Sequence, residues 1–412
     1  MNILWITNII MPEAETLMTS STVLKASGGW MVGLASQLVK NNNICLTIAT
    51  VSKCVSTIKR LQGESITYYI LPLKSYETCW LSVKDDVKPD VIHLHGTEYP
   101  WGKSYVDTCG PEHVVVSIQG LLSAYYYYYY YGLSAWTLIR NATIGSILFG
   151  GTLKGKHNFK RDSKREIALL QKVHHVIGRT SWDRTHTWAI NPDAKYHFCN
   201  EILRQEFFDG SKWEYDKCSK HTIFLSQSTY PIKGLHQILK AMPLILRHYP
   251  NAKIRIAGGD ITQRKGLHGF LLYSDFANYI NKTIKRLQLT EHILFTGPLD
   301  AEGMKREYLN ANVFVCPSTI ENSPNSLGEA QILGVPCISS YVGGVSDMIP
   351  NGDCGIMYRF EEINMLAKAV CDTFAKSEFS GQQHMIELAN QRHNPIKNAI
   401  DLESIYKEVA AK

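Results

Sequence analysis

Short apolar, β-branched runs alternate along the chain with longer segments whose apolar positions recur at helical spacing. In the first half NILWITNI, CLTIATV, ITYYILPL, DVIHLHG, HVVVSIQG and HHVIGRT read as strands, separated by helical segments such as Trp30 to Lys40. Near-continuous hydrophobic strands with helical crossovers signal a parallel sheet covered on both faces. The rhythm weakens across NEILRQEFFDGSKWEYDKCSKH and then restarts. TIFLSQS, AKIRIAGG, HILFTGP, VFVCPS, PCISSYVGG and CGIMYRF read as strands, with helices predicted from Leu235 to Tyr249 and around Phe276 to Leu287. The pattern predicts an α/β chain of two doubly wound parallel-sheet (Rossmann-like) domains facing across a cleft. The expected divisions are 1–205 (N-terminal, acceptor side), 206–390 (C-terminal, ligand-binding) and a last helix at 391–412 packing back toward the N-terminal domain. Ligands of such sheets bind at the carboxyl ends of the strands, so the cleft is the expected site.

Composition changes this picture little. At 412 residues, with 19% charged and 45% hydrophobic side chains, the chain suits two packed cores and neither a disordered nor a fibrous class. The net charge of +6 is mild, but Lys154, Lys156, Lys160, Arg161, Lys164 and Arg165 crowd around one acid, Asp162. That cluster reads either as a solvated helix face or as a contact for anionic lipid or a phosphorylated acceptor. No zinc-finger spacing or RNP-like motif accompanies it, so nucleic acid is not an expected partner. Ten scattered cysteines form no C-x-x-C pair, which suits buried thiols in a reducing compartment. MNILWITNII has neither a basic start nor a cleavage site and reads as a first strand. From His113 to Leu153 the only fixed charge is Arg140. The stretch is long enough to span a bilayer, but its Gln, Ser, Gly and Tyr content favours an interface or a core.

The densest chemistry lies in CPSTIENSPNSLGEAQILGVPCISSYVGG, Cys316 to Gly344. A strand feeds a loop with Glu321, and Ser323-Pro324 reads as the N-cap and first position of a helix. Glu329 follows eight residues after Glu321, inside that helix. The N–H groups at Asn325, Ser326 and Leu327 offer an anion site, because a helix start carries unpaired donors and a positive dipole end. Carboxylates beside such a site suit sugar hydroxyls rather than phosphate, and together they suggest a nucleotide-sugar.

E-x7-E after a strand with a downstream Gly343-Gly344 resembles the retaining glycosyltransferases of the GT-B fold, family 4 (group 1). The resemblance covers essentially the whole chain and is strongest from Thr222 to Gly355. It implies that Glu329 holds the ribose hydroxyls, that Glu321 contacts the donor sugar and that Lys233, in Lys233-Gly234, neutralises the leaving diphosphate. Gly28-Gly29 matches the first-domain position where a bare backbone meets the donor, or is merely a turn. His95, Gln119 and Tyr126 fall on the acceptor side, and Asn200 falls near the interdomain crossing. Asp347 stands where the family tends to have glutamate. Arg179 and Arg204 are candidates either for phosphate or acceptor charge or for salt bridging.

Two positions depart from the family. Ser228 stands where an arginine is usual, and Gln119 where a histidine ends the strand. A glutamine can donate a hydrogen bond but cannot act as a base. His93 and His95 share a strand face, yet no third metal ligand is evident and no D-x-D occurs, so no metal and no cofactor are expected at the donor site.

The implied activity is transfer of a sugar, with retention, from a UDP- or GDP-sugar to a hydroxyl of a lipid-linked carbohydrate acceptor in cell-surface polysaccharide biosynthesis. A nucleotide-sugar epimerase and a non-catalytic nucleotide-sugar or glycan-binding protein are the alternatives. The expected location is cytoplasmic, peripheral on the inner face of the plasma membrane. The seven tyrosines Tyr125 to Tyr131, if helical, put Tyr125, Tyr128 and Tyr129 on one face. They read as an acceptor-side or membrane-facing element of the first domain, or as a packing helix without special role.

Overall fold

The computed structural model describes residues 1–19, 29–263, 266 and 273–411; Gly28 lies outside them. The chain folds as two compact units. The first comprises Met1–Ser123, Arg161–Arg204 and the residues from His393 onward; the second comprises Ala124–Lys160 and Gln205–Arg392.

The first unit is built on β1 (Asn2–Thr7), β2 (Cys45–Ser52), β3 (Lys59–Gln62), β4 (Ile66–Pro72), β5 (Val91–His95), β6 (Val114–Ser117), β7 (His175–Gly178) and β8 (Lys195–Phe198). Their order is β3-β4-β2-β1-β5-β6-β7-β8, with only β3 antiparallel to its neighbour. Each predicted first-half strand is present. β3 was not anticipated, because KRLQ has one apolar residue. It is a short charged edge strand of the kind that discourages further pairing. The core gathers Ile3, Trp5, Ile48 and Val115 with Leu402, Ile405, Tyr406 and Val409 from the last helix, Pro395–Ala410. Inside it the Trp5 indole N–H donates to the Tyr406 hydroxyl at 2.8 Å, and that hydroxyl lies 2.6 Å from His93 Nδ1.

The second unit carries β9 (Thr222–Leu225), β10 (Lys253–Ile256), β11 (Ile293–Phe295), β12 (Val313–Cys316), β13 (Cys337–Ser340) and β14 (Ile356–Tyr358). All run parallel in the order β11-β10-β9-β12-β13-β14, as the second-half pattern predicts. The predicted helices appear as Leu235–His248 and Asp275–Arg286.

The partition differs from the expected 1–205 and 206–390 in one segment: residues 124–160, tyrosine run included, pack with the second unit. The hold is polar and long-range. Asp275 accepts from the Thr152 N–H and hydroxyl at 3.1 and 2.6 Å, and Asn278 donates to the Asn141 carbonyl at 2.9 Å. The run is also not one helix. The helix Leu122–Tyr128 stops, and the chain turns through Tyr131 N–H to Tyr128 carbonyl and Leu133 N–H to Tyr130 carbonyl bonds, each 3.0 Å. Gly132 takes φ +80 there, pressed against His236 and Phe360. The nearly uncharged stretch is likewise divided among β6 and the helices Leu122–Tyr128, Ala135–Arg140 and Ile144–Phe149. Among the described residues no helix is long and apolar enough to cross a membrane.

Candidate functional site

In the second unit β9 runs into a single 3-10 turn, Pro231–Lys233, and Gly234 caps the start of the helix Leu235–His248 with φ +70. A Cβ on Gly234 would stand 1.7 Å from the Pro317 carbonyl oxygen. One on Gly343, at φ +53, would stand 1.8 Å from that of Glu321. Two glycines thus let two separate segments press directly on the loop after β12, where any side chain would collide and the backbone would be strained. The Gly344 N–H donates to the Glu321 carbonyl at 3.0 Å, and the Thr319 N–H to that of Ile232 at 2.7 Å. Gly234 therefore makes its close approach to Pro317, which seats the loop carrying Glu321.

That seating brings Lys233 Nζ to 2.7 Å from Glu321 Oε1, and the Ser318 hydroxyl donates to the same oxygen at 2.7 Å. Burial works to lower the Lys233 pKa, but the Glu321 charge outweighs it and holds the ammonium above its ordinary value. Lys233 is thus a fixed cation.

The helix Asn325–Leu333 starts one residue later than expected, with Pro324 as N-cap at ψ 115 and no side-chain cap. The Leu327 N–H is bonded to the Pro324 carbonyl at 3.0 Å, which removes it from the anticipated anion-binding set and leaves that role to Asn325 and Ser326. Glu329 is buried on this helix with its Oε2 3.2 Å from the Tyr308 hydroxyl, which also donates to the Ser326 carbonyl at 2.9 Å. Tyr308, fully buried on the helix Ala301–Asn310, orients both the carboxylate and the first turn, and no sequence pattern pointed to it. Ser228 is buried in the same unit. Asp347 lies in a 3-10 turn whose carbonyl receives Arg392 Nη1 at 3.2 Å.

In the first unit His95 and Gln119 line one cavity of about 20 Å³, with Arg179, Asn200 and Glu201 around it. That is room for about one water. His95 sits in an aromatic wall, 4.4 Å from Trp5 and 5.7 Å from Trp30. Among the described residues neither of its buried ring nitrogens has a hydrogen-bond partner, and burial pushes its pKa down to about 3, so it is a neutral imidazole. His93 does share the face, ring centroids 3.8 Å apart, and its nitrogens are engaged by Tyr406 and Ser117. Arg179 resolves toward structure: Nη1 pairs with Glu201 at 2.7 Å and Nη2 donates to the Gln119 carbonyl at 3.0 Å. Gly29 opens the helix Gly29–Leu38, but a Cβ there would meet the stem of Arg204 at 2.7 Å. Its bare backbone makes room for Arg204.

Tyr126 belongs with the second unit, whereas His95 and Gln119 lie in the first. Its ring lies 3.9 Å from that of Tyr127, and a hydrogen bond between the two hydroxyls, ahead of burial, raises its pKa to about 12. Tyr129 is the inward-facing member, edge-on to Phe159 at 4.8 Å and close over Gly155. Lys156 stands 4.5 Å from the Tyr130 ring centroid, a cation–π contact.

Residues 211–400 match the family described as Glycosyl transferases group 1. An uncharacterized glycosyltransferase of Methanocaldococcus jannaschii is 30% identical over 33% of this chain and 31% of its own length. A phosphatidyl-myo-inositol mannosyltransferase of Mycobacterium tuberculosis is 24% identical over 50% of this chain and 51% of its own. The matched stretches thus span about a third to about half the length of these curated relatives. Among solved structures, a sucrose-phosphate synthase from Thermosynechococcus elongatus superposes with TM-score 0.73 at 14% identity, over 99% of each chain. The Anabaena protein HepE in complex with UDP and glucose does so with TM-score 0.69 at 13% identity, again over 99% of each. These likenesses establish the GT-B fold.

Proposed function

Since the chain carries a group 1 glycosyl transferase domain at 211–400 on a GT-B scaffold, we propose that it moves a sugar from a nucleotide-sugar to a hydroxyl of a carbohydrate acceptor. The observation that carries this reading is the ion pair of Lys233 with Glu321 on a loop seated by Gly234 and Gly343, beside a helix start and the positioned Glu329. The main charge developed in the transition state is on the departing diphosphate. A fixed ammonium and the N–H groups of Asn325 and Ser326 stabilise that charge more than the ground state, which is what accelerates transfer. Glu329 anchors the ribose of the UDP or GDP moiety, and Glu321 accepts from a hydroxyl of the sugar while fixing the lysine. The diphosphate is neutralised by these groups without a metal. Transfer proceeds with retention by front-face attack, the leaving phosphate taking the acceptor proton. A neutral Gln119 and a neutral His95 are compatible with that route, because neither is asked to be a base.

The acceptor is lipid-linked and the pathway one of surface polysaccharide, with the enzyme peripheral on an anionic cytoplasmic membrane face. Support comes from the short helices Ala135–Arg140 and Ile144–Phe149. They leave Trp136, Ile139, Ile144, Ile147, Leu148 and Phe149 in solvent, Ile147 at 73% exposure, just ahead of the exposed Lys154. Apolar side chains next to cations suit a headgroup boundary.

Turnover of UDP- and GDP-sugars by Glu329→Ala against wild type tests the donor assignment. A loss of at least about tenfold is expected; undiminished turnover sinks it. Formation of an epimer without acceptor would favour an epimerase, and nucleotide binding without transfer a binding protein.

A further inference from the structure

A second cluster of metal-competent side chains lies in the first unit, whereas Lys233, Glu321 and Glu329 belong to the second. His175 opens β7 and His197 lies in β8. The two strands pair in parallel with His175 opposite Lys195 and Ile177 opposite His197. Side chains two apart on a strand share a face, so both imidazoles project to the same side of adjacent strands. His175 Nδ1 and His197 Nε2 stand 2.9 Å apart, with rings stacked at 5.2 Å. The third member comes from the last helix: one ligand atom each of His175, His197 and Glu408 all lie within 4.8 Å of one another. Lys195, opposite His175 in the sheet, is Glu408's ion-pair partner.

We propose that His175, His197 and Glu408 form a binding site for one divalent transition-metal ion of the zinc class. Ligand bonds of about 2.0–2.2 Å in a tetrahedral site set neighbouring ligand atoms about 3.3–3.5 Å apart. The imidazole nitrogens are already closer than that and need only separate slightly. Both histidines are buried, so their orientation is held by the core. Glu408 and Lys195 are 37% and 53% exposed at the side chain, so the carboxylate can swing inward and the ammonium can leave to solvent. Two imidazoles with one carboxylate select zinc-like ions over magnesium or calcium, which prefer all-oxygen ligation. The fourth position is left to water. Because the ligands come from β7, the edge strand β8 and the last helix, the ion ties the end of that helix to the sheet edge. Its role is a staple, separate from the diphosphate chemistry, which lies in the other unit.

The test uses the full chain stripped with a chelator and titrated with Zn²⁺, with Mg²⁺ and Ca²⁺ as comparisons, read by calorimetry and by melting temperature. Wild type is expected to take up one equivalent of zinc at this site and to melt higher with rising zinc, while magnesium and calcium do neither. His197→Gln and Glu408→Gln are each expected to weaken this binding at least about tenfold and to lose the melting shift. Glu408 is partly exposed, so its variant is expected to fold even if His197→Gln does not. Absence of zinc uptake by wild type, or equal uptake and equal melting shifts in wild type and Glu408→Gln, would overturn the proposal; the latter result would place the zinc on cysteines elsewhere.

Discussion

At the residue scale the candidate site turns on one ion pair, and removing either partner is not equivalent to removing both. Lys233 and Glu321 are only 20% and 10% exposed, so a single substitution leaves an uncompensated charge in a poorly solvated place. Lys233→Met or Glu321→Leu alone is expected to cost about 3 to 5 kcal/mol in denaturant unfolding, and the double variant distinctly less than the sum. Strict additivity would mean the pair is not coupled. A second titratable residue makes a pH prediction. Burial, with the neighbouring Glu166 charge adding to it, raises the Glu98 pKa to about 7, against backbone hydrogen bonds that pull the other way. Glu166 is itself raised by burial, and Arg165 donates to the Glu98 carbonyl at 2.7 Å. A folded pKa above the unfolded one means that Glu98 contributes stability fully present below pH 4.5, lost as pH rises through about 7. His95 acts in the opposite sense, its folded pKa of about 3 costing stability as pH falls below 6.5. The difference between Glu98→Gln and wild type isolates the first effect. Melting of the two should converge near pH 5, and the variant should be the more stable at pH 8; a difference independent of pH refutes the assignment.

At the scale of elements, the exposed helix Ile144–Phe149 is fixed by its ends. Thr143 and Ser146 cap it reciprocally, and Gly150 closes it with φ +91. Its apolar residues are therefore held outward by a well-formed helix. Replacing Ile147, Leu148 and Phe149 with Ser is expected to change stability by less than about 0.5 kcal/mol per site, since none is packed. The same variant should reduce cosedimentation with anionic vesicles at least about tenfold. Wild-type protein that stays in the supernatant would remove the membrane reading. Strands of this kind were legible because Val, Ile and Leu runs mark both-face burial. β3 was not, since KRLQ is defined by pairing to β4 and not by apolar content. The pattern of residues along the chain singled out Lys233, Glu321 and Glu329, and the resemblance implied their roles. The contacts that fix them were not: Tyr308 on Glu329, Pro317 over Gly234 and the Arg204 stem against Gly29 are each set by tertiary approach, which a spacing pattern does not encode. For the same reason the tyrosine run was placed in the wrong unit, its attachment resting on Asp275 and Asn278 more than a hundred residues away.

At the scale of the whole molecule, the first unit is assembled from three separated stretches of chain, and the second occupies the intervals between them. The last helix supplies Leu402, Ile405, Tyr406 and Val409 to a core otherwise made by the first two hundred residues. The Tyr406 hydroxyl satisfies both the Trp5 indole and His93 there. This ordering matters during synthesis. Some 190 residues separate Arg204, just past the sheet's last strand, from His393, so at about 5 to 20 residues per second the nascent sheet waits roughly 10 to 40 seconds on the ribosome for its covering helix. Over that interval Trp5 and its neighbours remain an unfinished sticky surface, open to any chaperone that recognises uncovered apolar side chains.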